Sequence, residues 1–585
     1  MRLEDYWGIG PKTRDLLADE LGVEAAIEAI ESADVRTLTG AGLPSGRATR
    51  ILRYAHGGEA MDLLATGDAR QVYKQLLELL GDYAVSADAA DRIRILTPLS
   101  SEAAMIERLD DVMEARESWA ALTDEEQTAV LTAFEQYDDA GGGDRAAVNA
   151  ALRLRENGFD SGVFSPLADL DPDDLEDAMA ALSGLEGGGD RVGAGAEDRL
   201  DSLREQLGSV EDAAATPENL LEEVQQGARG TDELQEELAR VVTRETGVDV
   251  AQVREAMPAD ATDARDFVAG TMRTLASALR GEVGEREAEV AAELSAALDR
   301  TQAEIDAAVT AVDEIAVSIS LARFALAFDL VRPTFVEEDV CGVVEARNLF
   351  LDAADGAVQP ITYAIGDHGL PVSSPNEPPS GDRVAVLTGA NSGGKTTLLE
   401  TLCQVQLLAQ MGLPVPARHA HVGPVETIVF HRRHASFNAG VLESTLRSVI
   451  PPVSAGGKTL MLVDEFEAIT EPGSAADLLH GLVQLTVERE ALGVFVTHLA
   501  DDLEPLPAAA RTDGIFAEGL TTELELEVDY QPRFETVGRS TPEFIVSRLV
   551  ADAADRSARA GYETLATAVG ETAVQRTLAD ARWQE

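Results

Sequence analysis

The sequence predicts a multidomain chain, all-α up to about residue 334 and α/β beyond it. Two observations carry this. From Ala60 onward, apolar residues recur at helical spacing, as in Leu76, Leu77, Leu79 and Leu80, then Ile106, Leu109, Val112 and Met113. After Arg332-Pro333 the pattern changes to short apolar runs rich in β-branched residues, separated by helical stretches, which is the alternation of a buried parallel sheet. A third observation is length: 585 residues correspond to roughly four domains at about 150 residues each.

Taken in order, residues 1–57 form a small all-α unit. Ile9-Gly10-Pro11-Lys12 opens a helix through Leu16, Leu17 and Leu21 that stops at Gly22. Leu38-Thr39-Gly40-Ala41-Gly42-Leu43-Pro44 opens another through Ile51, Leu52 and Tyr54 that ends at Gly57. Residues 58–190 continue as helices up to GLEGGGDRVGAG at Gly184–Gly195, a flexible break or a loop tip. Residues 191–334 carry two seams: Leu200, Leu203, Leu207 and Val210, then Val290, Leu294, Leu298, Ile305, Val309, Val312 and Ile319. A coiled coil and an ordinary buried helix pair both produce this spacing. Strands are expected at Val340–Val344, Ile361–Ile365, Val384–Leu387, Thr459–Val463 and Val494–Thr497, in an α/β domain spanning 335–540. A short helical tail, 541–585, follows Pro542.

Charge first points away from a polyanion. Asp and Glu number 105 against 47 Lys and Arg, a formal net charge of −58. Of the 47 cations 43 are Arg, with Lys only at 12, 74, 395 and 458, and such an acidic, lysine-poor surface suits solubility at very high salt. A hydrophobic content of 45% excludes wholesale disorder. The two cysteines, Cys341 and Cys403, cannot build a disulfide framework and lack metal-ligand spacing, so a reducing cytoplasm is the expected compartment. Met1 to Gly10 lacks the apolar run of a signal peptide, and no run is long enough to span a bilayer.

Chemistry enters at Gly389-Ala390-Asn391-Ser392-Gly393-Gly394-Lys395-Thr396, which matches GxxxxGK[ST] between an expected strand and a helix over Thr397–Met411. Glycines at 389, 393 and 394 let backbone N–H groups turn toward phosphates, and the helix N-terminus adds partial positive charge. Lys395 is placed to reach the β- and γ-phosphates of ATP, and the Thr396 hydroxyl to bind Mg²⁺. The apolar strand Thr459–Val463 ends in Asp464-Glu465, where Asp464 is expected to hold Mg²⁺ and Glu465 to orient and deprotonate a water. A third strand, Gly493–Thr497, ends in His498, placed either to sense a γ-phosphate or as an ordinary strand-end histidine.

Thr388 to Thr397, the strand ending Asp464-Glu465, and Phe495-Val496-Thr497-His498, in that order, resemble the MutS family of ATP-binding-cassette ATPases. Residues 335–585 look like its ATPase and dimerisation region. Thr97-Pro98-Leu99 with Ile106 to Val112 is similar to the start of its helical lever and core. The resemblance implies an α-helical lever and clamp with a coiled coil, joined to a C-terminal P-loop ABC-type ATPase that hydrolyses ATP with Mg²⁺. It also implies Thr397 among the nucleotide contacts and a homodimer whose sites are composite.

Departures from the family pattern are a missing mismatch-reading domain, whose place residues 1–57 take, and the lack of room past Pro542 for a small nuclease domain. What remains resembles the archaeal branch of the second MutS subfamily, described as ATPases with non-specific DNA binding. Asn438-Ala439-Gly440 lies where the family has a Ser-Thr-Phe signature facing the partner's ATP, so Asn438 and Gly440 are carried over as location only.

The amino-terminal unit points to DNA by its charge distribution. Val35 to Gly58 contains no Asp or Glu but has Arg36, Arg47, Arg50 and Arg53. The turns at Gly8–Pro11 and Gly40–Leu43 resemble helix-hairpin-helix motifs, which would place Gly10, Lys12, Gly40, Gly42, Arg47 and Arg50 against DNA phosphates without sequence preference. Ordinary helical hairpins have the same turns. No aromatic cluster suggests base stacking, so the duplex backbone is the expected partner.

The combined expectation is an ATPase clamp acting on DNA in repair or recombination, with no membrane and no small-molecule substrate besides ATP. A ribosome-associated rescue ATPase is the alternative. A chromosome-structuring or break-repair coiled-coil ATPase is disfavoured because only about 70 residues separate Lys395 from Asp464.

Overall fold

The computed structural model describes residues 2–186, 191–227, 231–259, 261–354, 358–372, 377–389, 394–432, 439–465, 472–520, 526–538, 542–553, 555–570, 574–575 and 577–578. The chain forms two compact units, residues 1–127 with 316–585 and residues 128–315. The first border falls inside the expected 58–190 segment, within the helix Asp124–Asp139, and the second inside the expected 191–334 segment, within the long helix described below.

The first unit begins with α1 (Pro11–Glu20), α2 (Val23–Glu31), α3 (Val35–Gly40) and α4 (Ser45–Gly57), closed around Leu17, Ile30, Leu38, Ile51 and Leu52. Then come α5 (Gly67–Gly81), α6 (Ala87–Arg94) and α7 (Glu102–Ala121). Thr66, Ser86 and Ser101 cap these three, each accepting from a backbone N–H in the first turn, as Ser and Thr do where a chain enters a helix.

The second unit takes up α8 (Asp124–Asp139), α9 (Asp144–Glu156) and α10 (Pro172–Gly184). Within the stretch expected as a flexible break or loop tip, β1 (Leu185–Glu186) pairs antiparallel with β2 (Arg191–Val192). There follow α11 (Asp198–Ala215), α12 (Pro217–Gly227), α13 (Thr231–Thr246), α14 (Val250–Glu255) and α15, a 64-residue helix over Ala264–Ala327. α11 runs antiparallel to α15: Leu200 packs with Val290, and Val210 joins a cluster with Leu275 and Leu279. The flanks carry Arg286–Glu197, Arg204–Glu287 and Arg280–Glu211 ion pairs at 3.4, 2.9 and 2.6 Å.

The chain re-enters the first unit at Ala316, within α15, and beyond that helix builds two sheets where one was expected. β3 (Thr334–Phe335), β4 (Val340–Ala346), β5 (Ile361–Gly366) and β7 (His419–Val422) form one in the order β3-β7-β4-β5, with the one-turn α16 (Leu349–Asp352) between β4 and β5. β6 (Val384–Gly389), β8 (Thr427–His431), β9 (Thr459–Asp464), β10 (Leu492–Val496), β11 (Ala510–Leu520) and β12 (Leu526–Arg533) form the other, ordered β12-β11-β6-β10-β9-β8. All its neighbours are parallel except β11 with β12.

Alternation along β6 shows why this sheet is covered on both sides. Ala385 and Leu387 face the core around α17 (Lys395–Gln410), whereas Val384 and Val386 face α18 (Ala439–Ala455) and α19 (Pro472–Glu488). The amino-terminal segment seals one edge: Ala65 N donates to Ile428 O, and Thr66 Oγ1 both donates to Phe430 O and accepts from Phe430 N. α20 (Pro542–Asp552) and α21 (Arg556–Val569) form the tail. Among the described residues, no helix is long and apolar enough to cross a membrane.

Candidate functional site

Three neighbouring strands, β6, β10 and β9, end at one rim of the parallel sheet, and each delivers a residue singled out in the sequence. β6 ends in Gly389 with φ +135°, and a Cβ there would stand 2.3 Å from Ile515 O, so only glycine fits. Ala390, Asn391, Ser392 and Gly393 lie outside the described residues. Gly394, left-handed at φ +69°, caps α17. From that first turn Lys395, 4% exposed, donates from Nζ to Gly389 O at 2.9 Å.

Thr396 Oγ1 donates to Asp464 Oδ2 at 2.6 Å, which joins the start of α17 to the end of β9. A hydroxyl and a carboxylate so close form a hard oxygen pair of the kind Mg²⁺ accepts, and thus the residues present fit that ion. Asp464 is almost wholly buried at 2% exposure. The next residue, Glu465, takes φ +41°, a strained conformation for a side chain of its size, and donates its N–H to Val496 O at 3.0 Å. That turn brings Glu465 Oε1 within 3.2 Å of His498 Nε2. Lys395, Thr396, Asp464, Glu465 and His498 therefore come together.

A cavity of about 360 Å³ opens beside Gly394–Thr397, lined also by Asn348, Gln359, Ile361, Thr401, Glu465 and Tyr530. The Asn348 side chain caps α16 by accepting from Phe350 N and Leu351 N, and donates to Glu400 Oε2 at 3.1 Å and Thr401 Oγ1 at 3.3 Å. Gln359 holds β12, donating to Asp529 Oδ1 and accepting from Tyr530 N. Tyr530 in turn leans on Gly394, where an added Cβ would meet its ring at 2.8 Å. Asn348, Gln359 and Tyr530 belong to no motif, and no signal in the sequence marks them.

Next to Thr388 on β6 lies a buried charged cluster. Tyr363 Oη donates to Asp513 Oδ2 at 2.8 Å, Arg511 Nε donates to both Asp513 oxygens at 3.1 and 3.0 Å, and Thr388 Oγ1 donates to Asp513 O. Burial, reinforced by the Asp513 carboxylate, pushes the Tyr363 hydroxyl well above its ordinary pKa.

Asn438 lies outside the described residues, and Gly440 sits in the first turn of α18. In the amino-terminal unit, Gly10 precedes α1 and Pro44 precedes α4, neither with a side-chain hydrogen bond; α1 starts with Pro11, which has no N–H, and Thr13 N and Arg14 N donate to Gly10 O, while Arg47 N donates to Pro44 O. Lys12, Gly40, Gly42, Arg47 and Arg50 are exposed. Arg47 Nη2 donates to Gly8 O at 3.4 Å, which draws the two glycine turns to one end of the unit.

Comparison with known proteins bears on the strand-end site. Residues 385–509 match MutS domain V. This segment contains the GxxxxGK[ST] stretch Gly389–Thr396, Asp464-Glu465 and His498.

A protein named DNA-binding protein MutS2 from Pyrococcus furiosus is 44% identical over 223 residues, 38% of each chain. Endonuclease MutS2 of Thermomicrobium roseum is 30% identical over 190 residues, 31% of this chain and 24% of its own. Endonuclease MutS2 of Clostridium botulinum strain Loch Maree is 25% identical over 261 residues, 43% of this chain and 31% of its own. The chain thus spans about two fifths or less of the curated relatives it matches.

Proposed function

We propose that this protein is a MutS2-like, Mg²⁺-dependent ATPase whose hydrolysis cycle acts on DNA bound without sequence specificity, in repair or recombination. The observation that carries the reading is the Thr396–Asp464 hydrogen bond beside Lys395 and Glu465, because it joins a phosphate loop to a buried acidic strand end. Bound Mg²⁺ supplies charge neutralisation on the phosphates, held by Thr396 and Asp464. Lys395 and the N–H groups of the α17 terminus hold phosphate oxygens. Glu465 takes the proton of the attacking water, and His498, 3.2 Å away, orients that carboxylate.

DNA is assigned to the amino-terminal unit, with Lys12, Arg47 and Arg50 and the first-turn amides of α1 and α4 meeting the phosphate backbone. The name of the Pyrococcus relative agrees with that partner. A homodimer is part of the same reading: Asn438 and Gly440, preceding and opening α18, face the nucleotide of a second copy, and residues 541–585 support the pairing. Residues 58–190 serve as the lever, and residues 191–334 as the coiled-coil clamp.

The test is nucleotide binding and turnover in Lys395→Ala and Glu465→Gln. Lys395→Ala is expected to lose nucleotide binding. Glu465→Gln is expected to bind ATP normally and to hydrolyse it about 10²- to 10⁴-fold more slowly. Wild-type turnover in Glu465→Gln would remove Glu465 from its role.

A further inference from the structure

We propose that Trp7 and Tyr54 form a stacking platform that receives an unpaired nucleobase, so that the amino-terminal unit prefers junctions between duplex and single strand. The inference rests on the reading above that this unit binds DNA, and it names the DNA structure recognised. Trp7 comes just before the first glycine turn and Tyr54 from the last turns of α4, and the fold lays their rings face to face at 3.8 Å between centroids and 19° between planes. Trp7 remains 50% exposed, a rare exposure for so large an apolar ring. Tyr54 is half-buried against the large core of the first unit, which anchors the lower ring while the upper one faces solvent.

The surroundings suit a nucleic acid rather than a protein or lipid surface. Tyr54 lies in the carboxylate-free stretch Val35–Gly58, and Arg47 bridges to Gly8, the residue after Trp7. Several carboxylates of this unit have partners of their own: Glu4 and Asp15 pair with Arg14, Asp5 accepts from Arg2 N, and Glu31 accepts from Tyr6 Oη. A stacking contact also meets a need set by charge. A chain of net charge −58 repels DNA at low salt, and its phosphate contacts weaken as salt rises, whereas base–aromatic stacking is not ionic.

Three DNAs of equal length distinguish the outcomes: a blunt duplex, the duplex with a single-stranded 3′ arm, and the latter with 2-aminopurine as its first unpaired base. The wild-type protein is expected to bind the junction more tightly than the blunt duplex and to quench the 2-aminopurine. Trp7→Ala is expected to weaken junction binding about tenfold, the loss expected from one base–aromatic stack, with blunt-duplex affinity unchanged. Trp7→Phe is expected to restore most of the loss. Trp7→Ala binding the junction as tightly as wild type, or losing blunt duplex equally, would overturn the platform while leaving DNA binding intact. Failure of the wild-type protein to bind any of the three, or full retention of binding in a Lys12→Ala/Arg47→Ala/Arg50→Ala variant, would overturn the DNA reading itself.

Discussion

Thr396 and Asp464 are 68 residues apart in sequence, and the threonine hydroxyl reaches the carboxylate at 2.6 Å. Either partner can therefore be removed without touching Lys395. Thr396→Val and Asp464→Asn are each expected to reduce Mg²⁺-dependent ATP hydrolysis by about a hundredfold or more, while far-ultraviolet circular dichroism stays at the wild-type level. A titration of Mg²⁺ against turnover checks this, with half-saturation moving to higher Mg²⁺ in Thr396→Val.

Gly394 is constrained twice, by φ +69° and by the ring of Tyr530 at 2.8 Å from where a Cβ would sit. Gly394→Ala is expected to weaken ATP binding. Adding Tyr530→Ala removes the collision and leaves the backbone strain of about 1 kcal/mol, so the double variant should recover binding only in part. Full recovery would show that the ring alone excludes a side chain.

The Arg511–Asp513 pair is nearly inaccessible, with side chains 4% and 0% exposed. Arg511→Met strands a buried carboxylate and is expected to cost about 3–5 kcal/mol of stability. Tyr363→Phe removes one donor from the same carboxylate and is expected to cost about 1–3 kcal/mol. Denaturant unfolding of the two variants tests the order, Arg511→Met being the more damaging.

Asp339 gives the fold a pH dependence. Burial raises its pKa, but hydrogen bonds and charge from Arg383 at 3.0 Å and Lys458 at 3.1 Å outweigh burial and hold it below the ordinary carboxylate value. A depressed folded-state pKa stabilises above the unfolded value of about 3.9, and this is lost as pH falls through the folded one. Asp339→Asn is therefore expected to be less stable than wild type at pH 7, with the gap closing in acid below about pH 4. Melting temperatures of both proteins between pH 3 and 7 measure it.

How far the fold could be read depended on the range of the signal. The strands expected from Val340, Ile361, Val384, Thr459 and Val494 announce themselves as apolar β-branched runs, and each falls on a strand in the structure, the last running Leu492–Val496. β7 is only four residues long and β11 mixes charged residues into its run, so neither stands out, whereas β8 carries the short run Ile428-Val429-Phe430 and β12 alternates Leu526, Val528 and Tyr530 with Glu527, Asp529 and Gln531, strand signals that the five expected strands leave out. The division into two sheets was illegible for a different reason: a buried run states that it is covered on both faces, not which strand lies beside it.

The sequence by itself determined the GxxxxGK[ST] pattern, the acidic strand end and His498 as candidates, because the chemistry proposed for them needs particular residues at fixed local spacing. It likewise determined the glycine turns of the amino-terminal unit and the carboxylate-free stretch beside them. Tertiary structure alone decided which distant groups meet. It brought Thr66 to the edge of β8 at Phe430, Tyr363 onto Asp513, Tyr530 over Gly394 and Trp7 onto Tyr54. The physical reason is that local motifs follow from backbone geometry a few residues long. Pairings between elements follow from how whole hydrophobic faces close on one another, and no single residue in the sequence records that.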